Sequence, residues 1–244
     1  MAHSLPFEAR LVFARPLTPG VRELTFERVD GMTMDFEPGQ FVSLMLPGAE
    51  GELVKRSYSL ASAPDGSSRF ELAVTHVAGG PGSTWLHGLS LGAVVRFTGP
   101  MGVFTRPSVG GPPSLMIATG TGIAPMRSMI RAAIASGSEV PMWLLLGVRH
   151  ETDILYADEF SAFAKRHGHV RFEVTLSQPR GEWTGRSGYV QEHVREIFEA
   201  LVAKAETTPH AYVCGLERMV RAVRDLLRGE LALPRSVVHG ERYD

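Results

Sequence analysis

Apolar positions in the first hundred residues fall in short alternating runs. Phe7 to Phe13 alternates, and so does Val21 to Phe26, where Val21, Leu24 and Phe26 are apolar. Phe41 to Leu46, Phe70 to Val77 and Ala93 to Thr98 are further β-rich runs. Turn pairs punctuate them: Pro19-Gly20, Pro38-Gly39, Pro47-Gly48, Gly79-Gly80-Pro81-Gly82 and Gly99-Pro100. Many short strands with regular turn signals predict a small antiparallel barrel. One short helix is expected over Thr84 to Leu89, with Ser83 as its N-cap. Pro107 to Pro113 reads as a linker, and the period then changes. Apolar strands are expected at Ser114 to Ala118, Met142 to Leu146, Val170 to Leu176, Ala211 to Cys214 and Ser236 to His239. Helical patterns separate them at Met126 to Ser136, Ala157 to Arg166, Val190 to Lys204 and Leu216 to Arg228. Pro125 suits a first helical turn and Gly137 an exit. Repeated βα units predict a parallel sheet covered by helices. The expected architecture is two-domain: an antiparallel β-barrel over residues 1–107, then an α/β parallel-sheet nucleotide-binding domain over 108–244.

Composition narrows the options. The 244 residues carry a net charge of -1, which disfavours a general nucleic-acid binder. The single cysteine, Cys214, excludes an internal disulfide and a Cys-ligated iron–sulfur cluster within this sequence. The longest apolar run, around Val140 to Val148, is too short to span a bilayer, and Met1 to Pro6 has no signal-peptide pattern. A soluble cytoplasmic setting is the expectation. The nine histidines show no metal-ligand spacing, so no metal site is expected.

Two strings carry chemistry. Ala118-Thr119-Gly120-Thr121-Gly122-Ile123-Ala124-Pro125 follows a strand and opens a helix. Glycines there let a diphosphate approach the backbone, and the helix N-terminus offers free N–H groups. A tight βα turn without a ligand is the plainer alternative. Arg56-Ser57-Tyr58-Ser59 sets a cation, a ring and hydroxyls side by side. Arginine forks onto phosphate, and tyrosine stacks and hydrogen-bonds. An amphipathic strand with Arg56 in solvent is the alternative. The order of the two strings suggests two nucleotide cofactors held face to face. Leu146 to Arg149 and Val213 to Leu216 end strands at the same sheet edge as the glycine turn, which places Cys214 beside the crevice. As a small buried group or a polarisable neighbour of a nicotinamide, Cys214 has no activating partner nearby in sequence and is no expected nucleophile.

Over almost its full length the chain resembles the ferredoxin–NADP reductase family. The resemblance runs through Pro38-Gly39-Gln40-Phe41, Arg56-Ser57-Tyr58-Ser59, Gly79 to Leu86, Gly99 to Phe104, Gly120 to Pro125, Cys214-Gly215 and Glu241-Arg242-Tyr243. It implies FAD on the barrel and a dissociable NADH or NADPH on the α/β domain. By that resemblance Arg56, Ser57, Tyr58 and Ser59 would meet the flavin and its diphosphate, with Val74 and His76 flanking. Gly82, Ser83 and Thr84 would donate to the diphosphate. Thr119, Gly120, Thr121 and Gly122 would hold the dinucleotide beside Cys214. Tyr243 would stack over the flavin, and Glu241 would stabilise positive charge developing on the nicotinamide. Ser59, Cys214, Glu241 and Tyr243 are thus the candidate catalytic group.

A 2′-phosphate needs cations, and Arg149, Arg180 and Arg186 are candidates near Ser177. Ser177-Gln178 departs from the Ser-Arg of NADPH-using relatives, which tilts the expectation toward NADH. The implied activity is an FAD-dependent NAD(P)H oxidoreductase, monomeric, passing electrons to a ferredoxin or flavodoxin that supports an oxygenase or P450. The alternatives are a flavin-bearing subunit of a larger complex and an NADH-dependent oxygenase reductase component.

Overall fold

The computed structural model describes residues 6–47 and 53–243. Gly48, of the expected Pro47-Gly48 turn, and the first five residues lie outside that range. Six strands form the first sheet: β1 (Phe7–Thr18), β2 (Val21–Arg28), β3 (Phe41–Pro47), β4 (Leu53–Ser59), β5 (Arg69–Thr75) and β6 (Val94–Met101). Their order is β4-β3-β6-β1-β2-β5, with antiparallel pairs throughout. An antiparallel bridge between Leu60 and Leu72 joins the two edges, which turns the sheet into the expected barrel. Its interior is filled by side chains from alternate positions, including the mutually packed rings of Phe7, Phe26, Phe70 and Phe97.

The helix α1 (Pro81–His87) begins three residues earlier than the sequence suggests. Gly80 is its N-cap, and Pro81 takes the first turn, where its missing N–H costs nothing. Ser83 lies inside the helix; its hydroxyl reaches back to the Gly80 and Val77 carbonyls and accepts from the Val77 N–H.

The second sheet holds β7 (Ser114–Thr119), β8 (Met142–Val148), β9 (Val170–Leu176), β10 (Arg186–Ser187), β11 (His210–Leu216) and β12 (Val238–Tyr243). All pairs are parallel, in the order β10-β9-β8-β7-β11-β12. β7 is buried on both faces: Met116 and Ala118 face one cluster, Leu115 and Ile117 another. The first cluster is covered by α2 (Ile123–Ala135) and α3 (Ala157–Arg166), the second by α4 (Gln191–Val202) and α5 (Glu217–Asp225). This is the helix-covered parallel sheet that the continuous apolar strands predict. The first cluster also takes in Val21, Ala61, Ala73 and Phe104 from the barrel half, so one apolar seam runs between the two sheets.

The segment from Pro107 to Pro113 is held from within. Arg106 is 1% exposed, and its guanidinium donates to Ser114 Oγ at 2.8 Å, Pro107 O at 3.0 Å and Pro112 O at 2.8 Å. No carboxylate pairs with it among the described residues, and burial lowers its pKa from the ordinary arginine value.

Candidate active site at the seam between the sheets

The strand order reverses direction at β7: β8 and β9 lie on one side, β11 and β12 on the other. Open parallel sheets bind ligands in the crevice at such a point, beyond the strand C-termini. The Gly120–Gly122 turn leaves β7 there, and α2 starts at Ile123. A Cβ on Gly122 would sit 2.2 Å from the Cys214 carbonyl oxygen, and one on Gly215 would sit 2.2 Å from Thr119 Oγ1. Only glycine lets the two strand ends close up. The Leu216 N–H donates to Thr119 Oγ1 at 3.4 Å, which fixes that hydroxyl across the crevice.

Arg56, Ser57, Tyr58 and Ser59 end β4. Arg56 and Ser57 are exposed, Tyr58 half-buried and Ser59 buried. A Cβ on Gly82 of α1 would meet Arg56 Cγ and the Tyr58 hydroxyl, each at 2.9 Å, so β4 and the start of α1 form one narrow cradle. Burial pushes the Tyr58 phenol up to about 12, with the Arg56 charge pulling the other way. Val74 is fully buried and its carbonyl hydrogen-bonds His87 Nε2 at 2.8 Å. His76 is exposed, its ring packed edge-on to His87 at 5.2 Å. Thr84 is exposed on α1, whereas the Ser83 hydroxyl is spent on its own loop.

The two halves meet at Ser59. Its hydroxyl donates to Glu241 Oε2 at 3.2 Å and lies 2.8 Å from the Tyr243 hydroxyl. β12 is parallel to β11, with Cys214 opposite Glu241 and Leu216 opposite Tyr243. Tyr243 packs against the seam cluster that contains Cys214. Burial pushes the Cys214 thiol, the Tyr243 phenol and the Glu241 carboxyl up from their ordinary values; Ser59 partly offsets the shift at Glu241. A thiol so held stays protonated and is no nucleophile. A second tie was not anticipated from sequence: Thr75 Oγ1 donates to Thr121 Oγ1 at 3.3 Å, from the barrel to the glycine turn.

The candidate phosphate cations separate. Arg186 is engaged by two carboxylates: its Nε meets Glu173, and Nη1 and Nη2 each donate to Glu196 at 2.9 Å. Its charge is already balanced. Arg149 and Arg180 are exposed and have no carboxylate ion pair among the described residues. Their loops are tied together: Gln178 N–H donates to Arg149 O at 2.9 Å, Ser177 N–H to Val148 O at 3.0 Å, and Arg180 N–H to Glu151 Oε1 at 2.8 Å.

The cradles fit an FAD and a pyridine dinucleotide: glycines where a side chain would block approach, an exposed guanidinium on β4 that donates only to the Lys55 carbonyl at 2.9 Å among the described residues, hydroxyls beside it, and a βα turn at the crevice. No described helix is long and apolar enough to cross a membrane. No group of three or more potential metal ligands occurs among the described residues.

Comparison with known proteins agrees with this geometry. Residues 8–105 match the model of the oxidoreductase FAD-binding domain, and residues 116–225 that of the oxidoreductase NAD-binding domain. The chain is 54% identical over 245 residues to ferredoxin–NADP reductase B of Sorangium cellulosum (strain So ce56), covering 100% of both. It is 26% identical to the phenol hydroxylase P5 protein of Acinetobacter pittii (strain PHEA-2), with 97% of this chain matched but only 65% of that protein. Among solved structures, the Amycolatopsis cytochrome P450 reductase GcoB superposes with a TM-score of 0.84 at 26% identity, covering 99% of this chain and 71% of that one. The chain belongs to the ferredoxin–NADP reductase family of FAD- and NAD(P)-binding oxidoreductases.

Proposed function

We propose that this enzyme moves a hydride from NADPH to FAD at the Ser59 seam and delivers the electrons to a ferredoxin or flavodoxin that serves an oxygenase or P450. The observation that carries this reading is the convergence of Ser59 with Glu241 and Tyr243, residues 182 and 184 positions apart in sequence, between a flavin-type cradle and a nucleotide-type turn. FAD, when bound, supplies the conversion of a two-electron delivery into single-electron steps. The chain supplies placement. In our reading Arg56, Ser57, Tyr58, Ser59, His76, Gly82, Ser83 and Thr84 hold FAD, Ser83 through its backbone only, and the fully buried Val74 supports the strand behind them. Thr119, Gly120, Thr121, Gly122 and Ser177 line the nucleotide, with the buried Cys214 backing the turn. The Glu241 carboxylate stabilises the cation that forms as hydride leaves, and Tyr243 guards the position the nicotinamide must take. The boundary between the two domains falls at the 107–113 linker, and the chain works as a cytoplasmic monomer.

For the 2′-phosphate we assign Arg149 and Arg180, the two guanidiniums there that form no carboxylate ion pair among the described residues, and not Arg186. The name of the Sorangium relative supports NADPH. A second reading, an NADH-dependent oxygenase reductase component, draws on Gln178 and on the phenol hydroxylase relative. Timing anaerobic flavin bleaching with each nucleotide separates them. NADPH should win, and Arg149→Ala with Arg180→Ala should weaken NADPH about 10- to 100-fold while sparing NADH. A preference for NADH in the unaltered protein selects the second reading.

A further inference from the structure

One buried side chain touches both cofactor-bearing halves without lining either cradle. Arg127 sits in α2, five residues beyond Gly122, and is 4% exposed. With Ser128 it interrupts an apolar stretch, Ile123-Ala124-Pro125-Met126 before it and Met129-Ile130 after it. The Nη1 group donates to the Ala61 carbonyl at 2.9 Å and to Glu71 on β5, and stands 3.7 Å from Glu23 on β2. The Nε group donates to Glu159 Oε2 of α3 at 2.7 Å, and the guanidinium carbon lies 4.3 Å over the Tyr156 ring. Two flanking guanidiniums complete the set: Arg131 Nη1 stands 3.3 Å from Glu71, and Arg15 Nε 2.6 Å from Glu23. Three guanidiniums thus face three carboxylates, and the charges cancel within the seam.

Ala61 lies two residues beyond Ser59, on the segment that carries the hydroxyl of the active site. The Ala61 N–H also donates to the Glu71 carbonyl at 2.8 Å. Arg127 therefore grips the main chain that positions Ser59 with one end of its fork. Through its own helix it is rigidly joined to the glycine turn, about 8 Å away at 1.5 Å per helical residue. We propose that Arg127 is a positioning residue for hydride transfer: by clamping Ala61 and Glu71 of the barrel to α2, it sets the separation and angle between the flavin cradle and the nicotinamide turn. The proposal rests on the hydride-transfer reading above. Only a planar fork reaches Ala61, Glu71 and Glu159 together; a lysine ammonium keeps the charge but cannot span the three. Burial shields the clamp from salt.

The test uses the FAD-loaded protein and three variants. Arg127→Lys removes the fork, Glu71→Gln weakens the arm to the barrel, and Glu159→Gln weakens the arm that stays within the α/β half. In anaerobic single turnover, Arg127→Lys and Glu71→Gln should slow the limiting rate of flavin bleaching about 10- to 100-fold, with nucleotide affinity within about two-fold. Glu159→Gln should bleach at close to the unaltered rate. Independently of activity, deuterium uptake should rise in peptides spanning Ala61 and Gly120 to Gly122 in the first two variants and not in the third. Unaltered bleaching in both Arg127→Lys and Glu71→Gln overturns the proposal. So does equal slowing in Glu71→Gln and Glu159→Gln, which would mark a general loss of packing. If Arg127→Lys is not recovered folded, Glu71→Gln decides. If the unaltered protein is bleached by neither nucleotide, it is the hydride-transfer reading that fails, and deuterium uptake still judges the clamp.

Discussion

Glu241 is pulled two ways by its surroundings. Burial holds its carboxyl above the usual carboxylate range, while the Ser59 hydroxyl favours the ionised form. A carboxyl whose pKa is raised in the folded state lends its full stability below the unfolded value and loses it as pH rises through the folded value. At neutral pH the ionised Glu241 therefore costs stability. Glu241→Gln should raise the melting temperature at pH 7 to 8, and the gain should vanish below the ordinary carboxylate value of about 4. In the proposed mechanism turnover runs the other way, because it is the ionised form that would stabilise the cation left as hydride departs. The rate of flavin reduction should fall on acidification through a pKa above the ordinary glutamate value. In Glu241→Gln it should be about ten-fold slower and lack that acid limb. Thermal melts and pH profiles of single-turnover bleaching read both effects.

At the level of elements, the crevice exists because Gly122, just beyond β7, and Gly215, near the end of β11, let the two backbones close. Gly122→Ala would put a methyl group 2.2 Å from the Cys214 carbonyl oxygen, a backbone atom that cannot rotate away. Forcing β7 and β11 apart should cost about 1–3 kcal/mol and abolish tight nucleotide binding. FAD content should remain near normal, because the barrel cradle is untouched; flavin absorbance per chain and a nucleotide titration check the two halves separately. Such glycines, the prolines beside them and the α3 range Ala157–Arg166 are legible in the bare sequence, since turn chemistry and helical periodicity are local. Other elements are not. Ser83 is a good N-cap residue by type, but Gly80-Pro81 starts α1 earlier and leaves the Ser83 hydroxyl to brace the loop before it. β10 is only two residues long and exists through its pairing with β9, so no periodicity announces it. Arg186 looks like a free cation on paper; Glu173 and Glu196, 13 and 10 residues away, claim it only in the fold.

Across the whole molecule, the relation of the two sheets is held at points where charge is buried. Arg106 braces the 107–113 segment through carbonyls and a hydroxyl alone. Arg106→Met should remove the donors that brace Ser114 Oγ and the Pro107 and Pro112 carbonyls, leaving Pro112 O only the Ser114 hydroxyl at 2.7 Å, at a cost of about 1–3 kcal/mol in all. A lower melting temperature and faster thermolysin cleavage within 107–113 should result, with the flavin still bound. The seam itself was legible as a pair of motifs but not as a contact, because Ser59, Glu241 and Tyr243 come together only when every intervening element is in place. That separation sets an order of assembly. Barrel strands pair across at most 90 residues, Phe7 with Phe97, whereas docking β12 beside Ser59 closes a loop of 182 and should come later. A refolding chain should thus bind its flavin before it gains the carboxylate and phenol to which we assign the hydride-transfer role. Competence is a property of the finished molecule, and it arrives last.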